Sequence, residues 1–238
     1  MTFRRPVRFL WLLLGAALAV SVPLGADATG TRTGADGTRT DGRVAVSSDV
    51  APWRAVGRLN VAGFRVRRHC TATLVAPDLA LTAQHCLRGF RGEEWVAPDL
   101  VHFLPGFSRG GYVEHRQAVG YEPVGEEAVL VRLDGRVNVE PVPIAAPGTQ
   151  PGTALFEAGY SSDRGQVLTV DPACRFLGWS PEGLWRHDCE AIGGDSGAPI
   201  LVDTGAGLAV AAIHIGRRGA DGLAEPLDAG RLRRHAAR

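Results

Sequence analysis

The 238-residue sequence has little net charge, few cysteines and no long apolar segment, and each shortage excludes a class of protein. Its 26 basic residues oppose 25 acidic ones, and a net charge of +1 argues against a general nucleic-acid binder. The apolar run 9–22, interrupted only by Ser21, is shorter than the ~20 residues that a membrane-spanning helix needs. The four cysteines and seven histidines form no Cys-x-x-Cys or His-Glu-x-x-His spacing, so no zinc site is indicated, and no cofactor is expected.

The N-terminal part of the chain differs in composition from the rest. Three arginines precede the apolar run, and Ala26-Asp27-Ala28 offers a small-x-small cleavage site, which is typical of an export signal. We therefore predict a signal peptide over residues 1–28 and a secreted or periplasmic protein, with no stable membrane insertion after cleavage. Residues 29–43 contain almost only Thr, Gly, Arg, Asp and Ala, which predicts a disordered linker or pro-segment. Residues 44–238 form the remaining domain.

Beyond residue 43, short β-type runs alternate with Gly, Pro and Asp, and no long stretch has a convincing helical period. Many short strands divided by turn residues indicate an all-β barrel or sandwich. The basic run 231–235 is expected to be a solvated tail. The predicted strands are 55–61, 70–75, 79–82, 128–133, 154–159, 167–170, 198–202 and 208–215.

Two motifs about half a chain apart point to nucleophilic catalysis: Thr82-Ala83-Gln84-His85-Cys86 and Gly193-Gly194-Asp195-Ser196-Gly197-Ala198-Pro199. A serine is a poor nucleophile at neutral pH, so it needs a base within reach and donors aimed at the developing oxyanion. Flanking glycines let the backbone turn tightly, so that its N–H groups can point at a substrate carbonyl. Together, the two motifs resemble the His and Ser signatures of the chymotrypsin-like (trypsin-fold) serine proteases, and the resemblance covers nearly all of the chain after the leader.

This resemblance implies an all-β fold of two six-stranded antiparallel β-barrels with the active site in the cleft between them. The first barrel would span about 44–145 and the second about 150–238, on either side of a Pro-rich connection. His85 would be the general base and Ser196 the nucleophile. The N–H groups of Gly194 and Ser196 would form the oxyanion hole.

The acid of the triad departs from the family pattern. Relatives carry Asp-x-Ala followed by two apolar residues, and the comparable stretch here is Glu-Glu-Ala-Val-Leu, which begins at residue 126. With Ala128 as the anchor, Glu126 takes the place of the aspartate and would orient His85, whereas Glu127 would point to the opposite face of the strand. Alternatively, both glutamates are solvated turn charges and the triad is incomplete. Possible stand-ins that do not match the motif are Asp99 and Asp134.

Four cysteines in an exported chain suggest two disulfides. The resemblance pairs Cys70 with Cys86, directly after the histidine, and leaves Cys174 and Cys189 as the second pair.

The resemblance also gives Asp195 a structural role. In the chymotrypsin group, the matching aspartate pairs with a new N-terminus that forms on activation cleavage. Arg43-Val44-Ala45-Val46 is partly similar to such a cleavage site but lacks the usual Val-Gly-Gly continuation. Activation by cleavage therefore stays open.

Two strings near the serine resemble the bacterial glutamyl-endopeptidase-like branch: His-Asp-Cys-Glu, ending at Glu190, and Ala-Ile-His-Ile-Gly, ending at Gly216. The resemblance assigns Glu190, His214 and Gly216 to the specificity pocket, with His214 helping to bind an acidic side chain before the scissile bond. Glu190, however, lies where trypsins keep the aspartate that binds Arg or Lys, and it would repel an acidic substrate if it pointed into the pocket. The preference stays open.

The sequence thus predicts a secreted, monomeric serine endopeptidase that hydrolyses a protein or peptide substrate through an acyl-enzyme. The alternatives are a catalytically weakened or silent protease-fold protein that binds a peptide or a partner, and a non-peptide esterase that uses the same triad. Four histidines have no motif around them and are expected at the surface or in loops: His69, His102, His115 and His235.

Overall fold

The computed structural model describes residues 41–64, 66–89 and 94–236. The predicted signal peptide, and the predicted linker up to residue 40, lie outside the described residues. Of the helices within the described ranges, none is long and apolar enough to cross a membrane.

The first barrel is built from six antiparallel strands whose apolar side chains fill its interior. They pair in a closed ring, in which each strand contacts the next and the last returns to the first. Leu59, Leu74, Leu81 and Phe103 are completely buried in its core. In ring order the strands are β2 (Val56–Ala62), β3 (Arg67–Ala76), β4 (Leu79–Ala83), β7 (Ala128–Leu133), β6 (Arg116–Pro123) and β5 (Val101–Pro105).

The second barrel closes in the same way around a core that includes Leu155, Phe176 and Ile200. The prediction of an all-β fold with two six-stranded antiparallel barrels is thereby confirmed. Short 3-10 helices occur at Trp53–Ala55, Gln84–Leu87 and Pro98–Leu100. In ring order the strands are β8 (Ala154–Gly159), β9 (Thr169–Trp179), β10 (Trp185–His187), β13 (Asp221–Pro226), β12 (Leu208–Arg218) and β11 (Pro199–Asp203).

Both ends of the domain pack on the barrel formed by the opposite half of the chain. Strand β1 (Val44–Ala45), expected in the first barrel, pairs instead with the start of β9 in the second. At the other end, the basic run expected to be a solvated tail forms helix α1 (Ala229–Ala236), and its arginines are exposed as expected. Asp228 caps this helix by accepting hydrogen bonds from two backbone N–H groups. Leu232 is buried in a core cluster that includes residues of the first barrel. The cap at Asp228 and the burial of Leu232 therefore stabilise this helix.

Two disulfides stabilise the loops beside the predicted site. Cys70 is bonded to Cys86, and Cys174 to Cys189, which confirms both predicted pairings. The first bond ties β3 to the 3-10 helix that carries His85.

Candidate active site

His85 lies on the 3-10 helix that follows β4, and its acidic partner is Glu127. The Nδ1 atom of His85 is 3.0 Å from Oε2 of Glu127, and the backbone N–H of His85 donates to the same oxygen at 3.2 Å. The hydrogen bond from the imidazole holds the pKa of Glu127 below its usual range, although partial burial opposes this. Because an ionised carboxylate only accepts hydrogen bonds, Nδ1 carries the proton. Nε2 is then the acceptor of the neutral ring.

The prediction that the carboxylate of Glu126 lies beside His85 is wrong, since Glu127 occupies that place and Glu126 is exposed. Strand β7 begins only at Ala128, and residues 125–127 form a bend, so side-chain alternation does not extend back to Glu126. The carbonyl of Glu127 accepts the backbone N–H of Gln84 at 2.6 Å, which aligns Glu127 with the start of the histidine helix.

Glu225 of β13 fixes this bend, and no sequence motif indicated it. Its buried carboxylate accepts the backbone N–H groups of Glu126, Glu127 and Ala128 at 2.8, 2.6 and 2.6 Å. A side chain at Gly125 would overlap the same carboxylate, which explains the glycine there. A residue of the second barrel thus positions the acid that contacts the histidine of the first.

The loop that carries Ser196 is docked on the first barrel. The backbone N–H of Thr71 donates to the carbonyl of Ser196 at 3.0 Å, and the Thr71 hydroxyl donates to the carbonyl of Gly194 at 3.0 Å. The Sγ atom of Cys86, next to His85 in the chain, is 3.7 Å from the Ser196 carbonyl oxygen. These contacts bring the loop of Ser196 against the histidine helix.

Two glycines of the serine motif have positive φ angles and no room for a side chain. Gly197 has φ +79°, and a Cβ there would come within 2.9 Å of the backbone nitrogen of Ala83. Gly194 has φ +97°, and a Cβ there would lie 2.8 Å from Nε2 of His69. Both positions therefore require glycine.

The backbone of this loop turns two N–H groups away from the groups that hold its carbonyls. The carbonyls of Gly193 and Asp195 accept backbone hydrogen bonds at 2.6 and 2.7 Å. In a trans peptide the N–H points opposite to the carbonyl, so the N–H groups of Gly194 and Ser196 point away from those partners. Within the described residues, neither of these N–H groups has a protein acceptor.

The carboxyl group of Asp195 is buried and held within the chain. The Ser161 hydroxyl lies 2.8 Å from each of its oxygens, and the backbone N–H of Ile192 donates to it at 2.9 Å. Burial raises the pKa of Asp195 to about 6, against the effect of these hydrogen bonds. In this intact chain, Asp195 therefore has polar partners without a new N-terminus.

Arg43, at the possible cleavage site, is engaged by acidic groups. Its guanidinium lies 2.7 Å from Asp163 and 3.0 Å from Asp41, and its side chain is only 6% exposed. The last three residues of the predicted disordered segment, 41–43, therefore include ion pairs with the domain.

Behind the serine loop, His214 of β12 belongs to a buried group with His187 and Glu157. The N–H of Cys189 donates to Nδ1 of His187, and Nε2 of His187 is 3.2 Å from Nδ1 of His214. If both rings are neutral, His187 carries its proton on Nε2 and donates it to His214, whose own proton is then on Nε2. Burial lowers the pKa of His214 and raises that of Glu157, which favours the neutral forms.

This buried group does not fit a metal ion. The donor atoms of Glu157, His187 and Cys189 lie within 4.8 Å of one another. The Cys189 sulfur, however, is bonded to Cys174 and offers no thiolate.

The other predicted pocket residues, Glu190 and Gly216, lie next to Arg217, which no sequence motif indicated. Arg217 donates to the carbonyl of Ala191 at 2.9 Å, and its Nη1 is 3.8 Å from the carboxylate of Glu190. Gly216 precedes Arg217 on β12. On the same strand, the backbone carbonyl of His214 accepts a hydrogen bond from the N–H of Gly197. The structure thus places Glu190 beside a cation, and both near the serine loop.

The barrels and the site together define a chymotrypsin-like serine protease fold. A family profile described as a trypsin-like peptidase domain matches residues 70–210, so the chain belongs to this family. A search of curated proteins gives no significant match.

Solved structures agree with this fold. A Glu endopeptidase in complex with MPD has a TM-score of 0.71 and 19% identity, over 84% of this chain and 98% of that one. The protease Anisep from Arthrobacter nicotinovorans gives 0.64 and 15%, over 78% and 93%. The thermostable serine protease AL20 from an extremophilic microorganism gives 0.62 and 19%, over 77% and 96%.

Proposed function

We propose that the protein is a secreted serine endopeptidase with Ser196 as nucleophile, His85 as general base and Glu127 as the acid that orients the base. The contact between His85 Nδ1 and Glu127 is the observation that carries the proposal. It leaves Nε2 as the acceptor, which is the ring nitrogen that must take the serine proton. The alternative of a silent protease-fold protein was based mainly on the departure at Glu126, and the contact of Glu127 with His85 counts against it.

The proposed reaction begins when the hydroxyl of Ser196 attacks the scissile carbonyl carbon and transfers its proton to Nε2 of His85. The N–H groups of Gly194 and Ser196, which have no acceptor among the described residues, would stabilise the oxyanion. His85 then protonates the leaving amine, and the acyl-enzyme remains on Ser196. Water then attacks the ester carbonyl and gives a proton to His85, which passes it to the oxygen of Ser196 as the acid product leaves. Glu127 stays ionised and stabilises the imidazolium in both steps.

We further propose that the pocket beside the serine accepts an acidic side chain before the scissile bond. Arg217 lies next to Glu190 and offsets its charge, which weakens the expected repulsion of an acidic substrate. His214, with its proton on Nε2, would act as a neutral donor. The likeness to a Glu endopeptidase structure agrees with this preference. Peptides that differ only in Glu, Gln or Arg before the bond would test it, and faster cleavage after Arg would contradict it.

Labelling with a fluorophosphonate probe tests the catalytic proposal. We expect the wild-type protein to be labelled at Ser196, as located by mass spectrometry, and to cleave peptides, whereas Ser196→Ala should do neither. The folded state of both proteins is checked by their two disulfides in non-reducing peptide maps. Absence of labelling in correctly folded protein would favour the silent binder. A labelled protein that hydrolyses esters but not peptides would favour the esterase.

Export is part of this proposal. Two disulfides are expected in an oxidising compartment, which agrees with a signal peptide over residues 1–28. The N-terminal sequence of protein collected from the culture medium or periplasm would test it. An uncleaved N-terminus in the cytoplasm would contradict it.

A further inference from the structure

A shallow groove of about 470 Å³ lies on the hairpin of β2 and β3. Its walls include Arg58, Asn60, Arg67, Arg68 and His69, and none of its lining residues is acidic. We call it the arginine groove. The catalytic proposal uses none of these side chains.

In the part of the chain that the structure describes, the cations of the arginine groove have no carboxylate partner. Arg58 donates only to neutral groups, namely the carbonyl of Gly165 at 2.7 Å and the side-chain oxygen of Asn60 at 2.9 Å. The Nε and Nη2 atoms of Arg68 are shielded from solvent and have no hydrogen-bond acceptor among the described residues. Across the described residues, neither these two arginines nor Arg67 forms an ion pair.

Unpaired guanidinium groups that are partly buried are unfavourable, because they lose hydration and gain no counter-charge. Burial accordingly lowers the pKa of both Arg58 and Arg68, yet each remains fully charged at neutral pH. A carboxylate in the groove would supply the missing counter-charge. Arginine suits this partner because its planar fork matches a carboxylate.

His69 connects the groove to the reaction centre. This histidine, expected to be an ordinary surface or loop residue, is half-buried, and its Nε2 lies 3.0 Å from the carbonyl of Tyr160. A Cβ at Gly194 would lie 2.8 Å from the same nitrogen, so the groove ends against the backbone that would hold the oxyanion. The pocket residues Glu190 and His214 belong to the second barrel, whereas the groove belongs to the first.

We propose that the arginine groove binds acidic side chains of a polypeptide substrate on the leaving-group side of the scissile bond. In a polypeptide substrate bound across Ser196, the residue before the scissile bond occupies the pocket of the second barrel. The residues after the scissile bond are then directed over Gly194 and onto the first barrel. This inference rests on the proposed function. It adds a subsite that selects the residues after the bond, independently of the pocket that selects the residue before it.

Cleavage of a complex peptide mixture, followed by mass spectrometry of the new N-termini, tests the subsite. We expect Asp and Glu to be enriched among the first few residues after the cut, by at least about threefold at low salt, and less at high salt. Arg67→Gln/Arg68→Gln should remove the enrichment. Arg233→Gln/Arg234→Gln, which changes two exposed arginines of α1 outside the groove, is the matched control and should keep it.

A binding experiment separates this proposal from the proposed catalysis. Fluorescence anisotropy on Ser196→Ala compares a labelled twelve-residue peptide rich in Glu with its Gln counterpart. Tighter binding of the Glu peptide that is lost in Arg67→Gln/Arg68→Gln supports the subsite even if the protein proves not to cleave. Arg68→Lys should retain most of the preference, which guards against loss by misfolding. Equal binding of both peptides, or a preference that survives in the double variant, would overturn the proposal. So would binding of anionic lipid vesicles in place of the peptide.

Discussion

Replacement of Glu127 by glutamine should reduce turnover through loss of charge, while the geometry of the site is preserved. Both the backbone N–H and the Nδ1–H of His85 donate to the same oxygen of Glu127. Two donors facing one position require an oxygen there, so the introduced amide would keep its oxygen in place and His85 would keep its tautomer. What disappears is the negative charge that stabilises the imidazolium in the transition state.

The size of this effect follows from the distance and the exposure. Opposite charges about 4 Å apart interact by about 4 kcal/mol at an effective dielectric of about 20 and by about 1 kcal/mol in water. The side chains of His85 and Glu127 are 42% and 34% exposed, which places the pair between these limits. A loss of about 2–3 kcal/mol corresponds to a kcat about 30- to 160-fold lower. Glu127→Ala, which also removes the acceptor, should lower kcat by about 10³- to 10⁴-fold.

The assay is steady-state hydrolysis of a peptide substrate, with kcat and KM determined separately and folding checked by thermal unfolding. Glu126→Gln is the matched control, because Glu126 contributes only its backbone N–H and its side chain is exposed. We expect the control to stay within about twofold of the wild-type kcat, since exposed substitutions without contacts have small effects. Equal damage from both substitutions, or full activity of Glu127→Gln, would refute the assignment.

Three further predictions follow from the buried charges. Glu225→Gln should lower the free energy of unfolding by about 2–3 kcal/mol in urea titrations and also lower kcat, because a donor would then face backbone N–H groups that need an acceptor. Burial raises the pKa of Asp195 from 3.8 to about 6, so the folded state favours the neutral carboxyl group. The resulting contribution to the free energy of unfolding, about 3 kcal/mol, is lost as the pH rises from about 4 to about 6. Asp195→Asn should lack this part of the pH dependence of urea unfolding, and the same pH dependence in the variant and the wild type would contradict the prediction. Arg43→Gln, which removes the possible cleavage site, should stay active as one chain, since Ser161 and Ile192 already hold Asp195; an uncleaved but inactive variant would show that activation needs the new N-terminus.

Local patterns in the sequence were sufficient for part of the fold. Strands β7 and β8 occur at the predicted residues, because their apolar runs are bounded by turn residues and are paired on both sides. Strands β5, β6, β10 and β13 were not predicted. Glycine, charged residues and proline interrupt most of them, and their conformation depends on hydrogen bonds to neighbouring strands.

The sequence by itself determined the two motifs and the family that they resemble, because a motif is a local string, and the resemblance in turn implied the pairing of the cysteines. Only the tertiary structure decided that Glu127, and not Glu126, contacts His85. That choice depends on a bend held by Glu225, a residue about a hundred positions away in the chain. The tertiary structure also decided that Thr71 contacts the serine loop and that the arginine groove lies beside Gly194. Contacts between distant segments have no local pattern, since they exist only once the barrels have closed.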